Sequence, residues 1–206
     1  MKKRQIEKYL KKRVLLSFSG FTVKGRMLYK KGADGLLRGY YFDQSASDAD
    51  VLYVQCFILP LYVPTSVVGF NFGDRLAHPD TGNSGWRIGS DDDECPPLLR
   101  RMEEANKDYL DRIKNPCDFA ERFSAAIPND IHTDEAVAYS WFLCGDTKRA
   151  IEHLLRVEQV EVTAPWIVEV KARGERIRHF LQDGELTAAR NQLSDWRAES
   201  ESALKL

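Results

Sequence analysis

Histidines and grouped carboxylates are the side chains here best suited to chemistry near neutral pH, as general bases or as ligands of hard cations. The histidines are His78, His132, His153 and His179. His153 and His179 sit beside charged residues of helical stretches (Glu152, Arg178) and are expected to face solvent, whereas His78 before Pro79 and His132 before Thr133 read as loop residues. Asp91, Asp92, Asp93 and Glu94 could hold a cation through their oxygens. The run lacks the alternate spacing and central glycine of a calcium loop and precedes Pro96, where acids favour a helix start, so it reads as a solvated capping loop. Asp80 to Gly85 resembles half of a calcium loop at the wrong spacing, without the glutamate at the twelfth position, and reads as a turn. G-x-S-x-G, H-E-x-x-H, G-x-x-x-x-G-K-[ST] and G-x-G-x-x-G do not occur. No catalytic residue, metal or other cofactor is implied, and the chain is not expected to be an enzyme.

The cysteines, Cys56, Cys95, Cys117 and Cys144, fall in separate segments with no C-x-x-C pair, which removes the usual zinc and redox spacings. They read as reduced thiols, with Cys56 and Cys144 acting as small hydrophobes inside apolar runs. The start, MKKRQIEKYLKKR, has charge but no apolar stretch after it, so no signal peptide is expected. The longest apolar run, at 51–68, is interrupted by Gln55, Pro60 and Pro64 and does not read as a membrane span. A cytoplasmic protein is the expectation.

Charge gives the one candidate binding surface. The net charge is -1, but residues 1–31 hold eleven Lys or Arg against the single acid Glu7. Lys11, Lys12, Arg13, Lys24, Arg26, Lys30 and Lys31 could line an anionic groove, with Tyr29, Tyr40 and Tyr41 available to stack bases as single-strand binders do. An acidic protein partner would use the same residues, and a wet helix face would carry them without any partner. Lys11, Lys12, Arg13, Lys24, Arg26, Tyr29 and Lys30 are the candidate binding residues.

These residues need elements to position them. Ile6, Leu10 and Val14 recur every four residues, which predicts an amphipathic first helix ended by Gly20. Residues 26–31 and 36–42 read as strands about the turn Gly32, Ala33, Asp34, Gly35. VLYVQCFILPLYV reads as a strand covered on both faces, with Pro60 and Pro64 at an edge or bulge. Residues 67–72 and 86–88 read as further strands. From Pro96 the period becomes helical: Leu98, Met102, Ala105, Tyr109 and Ile113 mark one helix, and a second runs from Pro116 through Ala126. Thr133 and Asp146 are expected to cap the third and fourth. Thr163 with Pro165 starts the fifth, and residues 197–206 are expected to fray.

Gly145, Ala150 and Leu154 repeat as Gly184, Ala189 and Leu193, a shift of 39 residues. A glycine ending one helix, followed by a small residue and a leucine on the inner face of the next, is how a helical hairpin turns and packs. The reading is α+β: a mainly antiparallel sheet with an N-terminal helix (1–94), then an all-helical hairpin array (95–206) packed with it as one unit.

The succession of a helix, Ser19-Gly20-Phe21, Met27-Leu28-Tyr29-Lys30, Tyr41-Phe42-Asp43-Gln44-Ser45 and Cys56-Phe57-Ile58-Leu59-Pro60-Leu61 resembles the bacterial domain-of-unknown-function 4304 family over roughly residues 1–90. Ser45 follows Gln44 directly, where that family has one residue between. The resemblance implies a fold and no established activity; some such bacterial domains are suspected of acting in toxin immunity or phage conflict. The second half resembles tetratricopeptide-like hairpins, although Asp134, Val137 and Ala138 stand where Trp, Leu and Gly are usual there and the period exceeds 34. The leading expectation is a non-enzymatic protein-binding module, an immunity or conflict-system component, with another protein as partner and no membrane. The alternatives are a nucleic-acid-associated accessory factor using the basic end, and an enzyme without a linear motif.

Overall fold

A four-residue apolar repeat overshoots a helical turn of 3.6 residues, and the first helix deals with this by changing its winding. In the computed structural model, which describes residues 3–87, 95–125 and 130–206, helix α1 (Lys3–Tyr9) widens into a π turn at Leu10–Val14 and ends as a 3-10 turn at Leu15–Ser17. The wide turn takes up the excess, so Ile6, Leu10 and Val14 are all fully buried as the spacing requires.

Among the described residues the sheet has six strands, β1 (Thr22–Lys24), β2 (Met27–Lys31), β3 (Leu36–Gln44), β4 (Val51–Pro60), β5 (Gly73–Arg75) and β6 (Gly85–Arg87). Neighbours run in the order β1-β2-β3-β4-β5, with β6 also on β4. β1 was not expected; it pairs antiparallel with β2, Thr22 opposite Tyr29. β4 is longer than its partners on one side, and two short strands share that edge end to end: Leu52 faces Trp86 and Phe57 faces Gly73. Leu76 joins them, donating its N–H to the Val54 carbonyl (2.8 Å) and accepting the indole N–H of the fully buried Trp86 (3.0 Å). β4 alternates in burial over its first half and is buried throughout the second, so two-sided cover begins at Cys56. The strand expected at 67–72 is displaced to Gly73–Arg75. A Cβ at Gly73 would lie 2.1 Å from the Cys56 carbonyl oxygen, so only glycine lets the chain come this close.

Helix α2 (Cys95–Asp108) buries Leu98, Met102 and Ala105. The helices after it are α3 (Pro116–Phe123), α4 (Ile131–Cys144), α5 (Thr147–Gln159), α6 (Pro165–Gln182) and α7 (Leu186–Leu204). The architecture is thus α+β, with an antiparallel sheet, an N-terminal helix and a C-terminal helical array. The chain forms two compact units, one of residues 1–33, 37–59 and 69–112, the other of 34–36, 60–68 and 113–206. The acidic run Asp91, Asp92, Asp93, Glu94, with Ile88 and Ala126, lies outside the described residues.

In the helical unit both hairpin turns use a left-handed glycine, Gly145 at φ +95° after α4 and Gly184 at φ +76° after α6. Ala150 and Ala189 are fully buried, as are Leu154 and Leu193 to within one per cent. A closer approach, not read from the sequence, is at Gly174 of α6, where a Cβ would stand 3.2 Å from Val157 Cγ1 on α5. Several local expectations are corrected. Asp130, not Thr133, caps α4, accepting the Thr133 N–H (3.0 Å), because Thr133 sits inside the first turn. Asp146 does cap α5, while α6 starts at Ala164-Pro165 with no side-chain cap from Thr163. α7 does not fray at 197: buried Ser200 takes the Thr65 N–H (3.1 Å) and donates to the Val63 carbonyl (3.3 Å), and Arg197 pairs with Glu201 (2.8 Å).

The largest correction concerns the thiols. Cys117 and Cys144 form a disulfide, while Cys56 and Cys95 are buried thiols. The bond crosses from α3 to α4 over a separation of 27 residues, and the chain-entropy account gives such a loop about 3 to 4 kcal/mol. No local spacing marks this pair, since two helices bring it together.

Ala150→Leu would push extra carbons into the turn-proximal end of the α4–α5 hairpin and is expected to lower stability by about 1 to 3 kcal/mol. Urea unfolding would show this as a lower midpoint at unchanged slope; an unchanged midpoint would mean that the site has room.

Candidate functional site

The basic residues of the sheet unit arise on short elements, and Lys11 and Lys12 line an open pocket with Glu7 and Lys8. Lys11, Lys12 and Arg13 are exposed on the π turn, and Lys11 is paired with Glu7 one turn earlier (2.7 Å). Lys24 and Arg26 flank the left-handed Gly25 of the β1–β2 turn, and Arg26 donates to the exposed Asp43 carboxylate (2.8 Å). Lys30 is exposed at the far end of β2, its stem within 3.9 Å of the position a Cβ would take on Gly20. Exposed ion pairs of this kind are worth about 1 kcal/mol or less.

The aromatic half of the candidate surface is absent. Tyr29 is only 8% exposed, because β2 buries Met27, Leu28 and Tyr29 in succession. Tyr40 is fully buried, donating its hydroxyl to the Met102 carbonyl (2.6 Å), and burial pushes its phenol pKa far up. Tyr41 is half-buried against Phe70, ring centres 5.3 Å apart. Tyr29 and Tyr40 are core, and no base could stack on them.

Sequence reasoning missed a second cluster, in the helical unit. From Thr133 to Phe142 every residue of α4 is buried, and two of them are adjacent acids, Asp134 and Glu135. Asp134 lies in the first turn, where the helix dipole favours negative charge, and Glu135 follows it. Glu135 receives the guanidinium of Arg173 from α6 on both oxygens (2.9 and 3.1 Å) and the Tyr139 hydroxyl (3.1 Å). Asp134 takes His153 Nδ1 of α5 on Oδ1 (2.7 Å), with Arg156 Nη1 at 3.7 Å, while Oδ2 is buried without a partner among the described residues. Burial works against the Arg173 charge, yet the Glu135 hydrogen bonds and charge outweigh it and raise its pKa above the ordinary value. Burial, then the Glu135 charge, pushes the Tyr139 phenol well up.

His153 is therefore not on a wet face as expected: it is 6% exposed because Asp134 needs a buried partner on α5. His132 is not in a loop but in the first turn of α4, its ring stacked on Trp166 at 4.7 Å and 10°. His179 is exposed, as expected, and His78 lies in the loop before β6. The acids of α4 could have been suspected from their place in the apolar stretch IHTDEAVAYSWFLC, but their partners 19 and 38 residues away could not. Among the described residues no group of three or more His, Cys, Asp or Glu side chains is placed to hold a metal ion, and no helix is long and apolar enough to cross a membrane.

A third feature is apolar and exposed. Trp166 is 45% exposed at the start of α6 beneath its His132 stack, and Val162 and Val168, on either side in sequence, are 51% and 52% exposed. In the same unit Ile131, Val157, Ile167 and Val170 form a buried cluster against which Val160 and Ala164 pack. Comparison with known proteins finds no matching family model, no similar curated protein and no matching solved structure.

Replacing Arg173 by Met leaves a fully buried carboxylate unpaired and is expected to cost about 3 to 5 kcal/mol at pH 8. An unpaired buried carboxyl has its folded pKa raised above the unfolded one, so the folded state binds the proton more tightly. Stability is then present below the unfolded pKa and lost as pH rises through the folded one. The gap between Arg173→Met and the natural protein should narrow from pH 8 to pH 5, and Glu135→Gln in the same chain should remove that trend. A gap equal at both pH values would mean that Glu135 is not the uncompensated charge.

Proposed function

We propose that this chain is a non-enzymatic protein-binding module that docks another protein through the helical unit. The observation that carries this reading is Trp166: a large ring, nearly half exposed, fixed by a flat stack on His132 and flanked in sequence by exposed Val162 and Val168. Tryptophan on a rigid base is the residue type most enriched at binding hot spots. The strongly polar cluster of the same unit supports the non-enzymatic part, since Glu135 and Arg173 are saturated by each other and by Tyr139. The resemblance of residues 1–90 to a family containing suspected conflict-system domains gives the proposal its narrower form, an immunity or conflict component. A toxin gene beside this one in its genome would support that form.

Binding of nucleic acid by the basic end is the less supported reading, because Tyr29 and Tyr40 are core residues and Lys11 and Arg26 are already ion-paired. The test is retention of a protein from the native host by the full chain, followed by titration with that protein purified. Trp166→Ala, with circular dichroism unchanged, is expected to weaken the complex by at least about 2 kcal/mol, roughly thirtyfold. No retained protein, or an affinity insensitive to Trp166, would overturn the reading. A labelled single-stranded oligonucleotide is expected to bind more weakly than about 100 µM at physiological salt. Micromolar binding abolished by Lys11→Glu with Lys12→Glu would put nucleic acid in its place.

A further inference from the structure

We infer that the Cys117–Cys144 disulfide is a thiol–disulfide exchange site that opens in one direction: a small thiolate bonds to Cys144 Sγ, and Cys117 leaves as the thiolate. The bond joins two helix ends of opposite polarity. Cys117 is the second residue of α3, after Pro116 and the N-cap Asn115, whose Oδ1 accepts the Asp118 N–H (3.0 Å). The positive end of a helix favours a thiolate and lowers a cysteine's pKa. The nearest acid in sequence, Asp118, turns its carboxylate back onto the Lys114 N–H (2.7 Å). Cys144 is the last residue of α4, beside the carbonyl end that Gly145 closes, where the Gly145 and Asp146 N–H groups bond back to Phe142 and Trp141. That carbonyl end disfavours negative charge, and Asp146 beyond it is the N-cap of α5 and pairs with Arg149 (3.3 Å).

Attack is faster when the departing sulfur belongs to the more acidic thiol. Both cysteines are half-buried, whereas Cys56 and Cys95 are buried, and exchange requires that a small thiol reach the bond. The exchange balances with glutathione as the reductant. One glutathione thiolate forms a bond to Cys144 Sγ, the Cys117–Cys144 bond breaks, and its electron pair goes to Cys117. A second glutathione thiolate attacks the glutathione sulfur of that mixed disulfide, releasing Cys144 and oxidised glutathione, and both protein sulfurs take up protons. Opening leaves α3 packed, because Phe119 and Ala120 are fully buried and the Trp141 indole still donates to Ser124 Oγ (3.0 Å). The site therefore releases a covalent tether without unfolding its helix.

The test exposes the oxidised full chain to glutathione under native conditions, quenches with N-ethylmaleimide at increasing times and maps the adducts by mass spectrometry. Glutathione on Cys144 with maleimide on Cys117 is expected in at least about threefold excess over the reverse, the ratio for one pKa unit between the leaving thiols at a coefficient near 0.5. Equal or reversed labelling, exchange only after unfolding, or an oxidised preparation lacking the bond would each overturn the inference. Cys144→Ser and Cys117→Ser, each checked for its helix content, give an independent arm: the lone Cys117 should react with iodoacetamide at a lower pH midpoint than the lone Cys144. The opposite order would also overturn it.

Discussion

The buried pair of Glu135 and Arg173 constrains the helical unit more than any other interaction. A helix buried on all sides over ten residues would ordinarily be apolar all round, yet α4 carries two adjacent acids there. A carboxylate with no exposure is tolerable only when paired and hydrogen-bonded, so α6 must bring Arg173 within reach of both oxygens, and Tyr139 must turn its hydroxyl to the same group. Asp134 makes the same demand of α5 through His153. Adjacent side chains of a helix point about 100° apart, so the two acids address two different neighbours. Such pairs add little net stability over apolar packing, but leaving one partner out is costly. Alignments of α5 and α6 that miss these contacts are thereby penalised.

Small residues then allow the approach that the charges require. Gly174 lies between the hairpins with Val157 almost against it, and Ala150 is fully buried at the start of α5. In the sheet unit the same logic appears without charge: glycine at 73 lets the short strand β5 close on β4, and β6 takes the other half of that edge. Two three-residue strands cover an edge that would otherwise expose unpaired backbone groups over much of β4.

The element types were legible where period and punctuation agreed. The Ile6, Leu10, Val14 stripe, the β2–β3 hairpin, Gly145, Gly184, Ala150 and Ala189 all follow from spacing, and all are buried or turned as expected. What failed was decided by distant partners. His153 looked solvated because its neighbours in sequence are charged, but its environment is set by Asp134 on another helix. Cys117 and Cys144 carry no mutual spacing, and only the packing of α3 on α4 joins them. The last helix looked weak because its tail is polar, whereas one of those polar residues, Ser200, bonds to a segment 137 residues earlier. Lys11, Lys12, Arg13, Lys30 and Lys31 are exposed and Lys24 and Arg26 half-buried, whereas Tyr29 is buried because alternation in β2 gives way to three buried residues in a row.

That last contact orders the birth of the protein. Ribosomal synthesis releases residues from the N-terminus, and every segment of the sheet unit is out once residue 112 has emerged. The helical unit cannot close so early: it uses residues 34–36 and 60–68, and Val63 and Thr65 must wait for Ser200. Val63 and Thr65 thus lack their final neighbour until residue 200 has emerged, and the loop that their contact closes is long. A nascent chain of this kind leaves its helical unit incomplete for as long as residues 113–200 are being made.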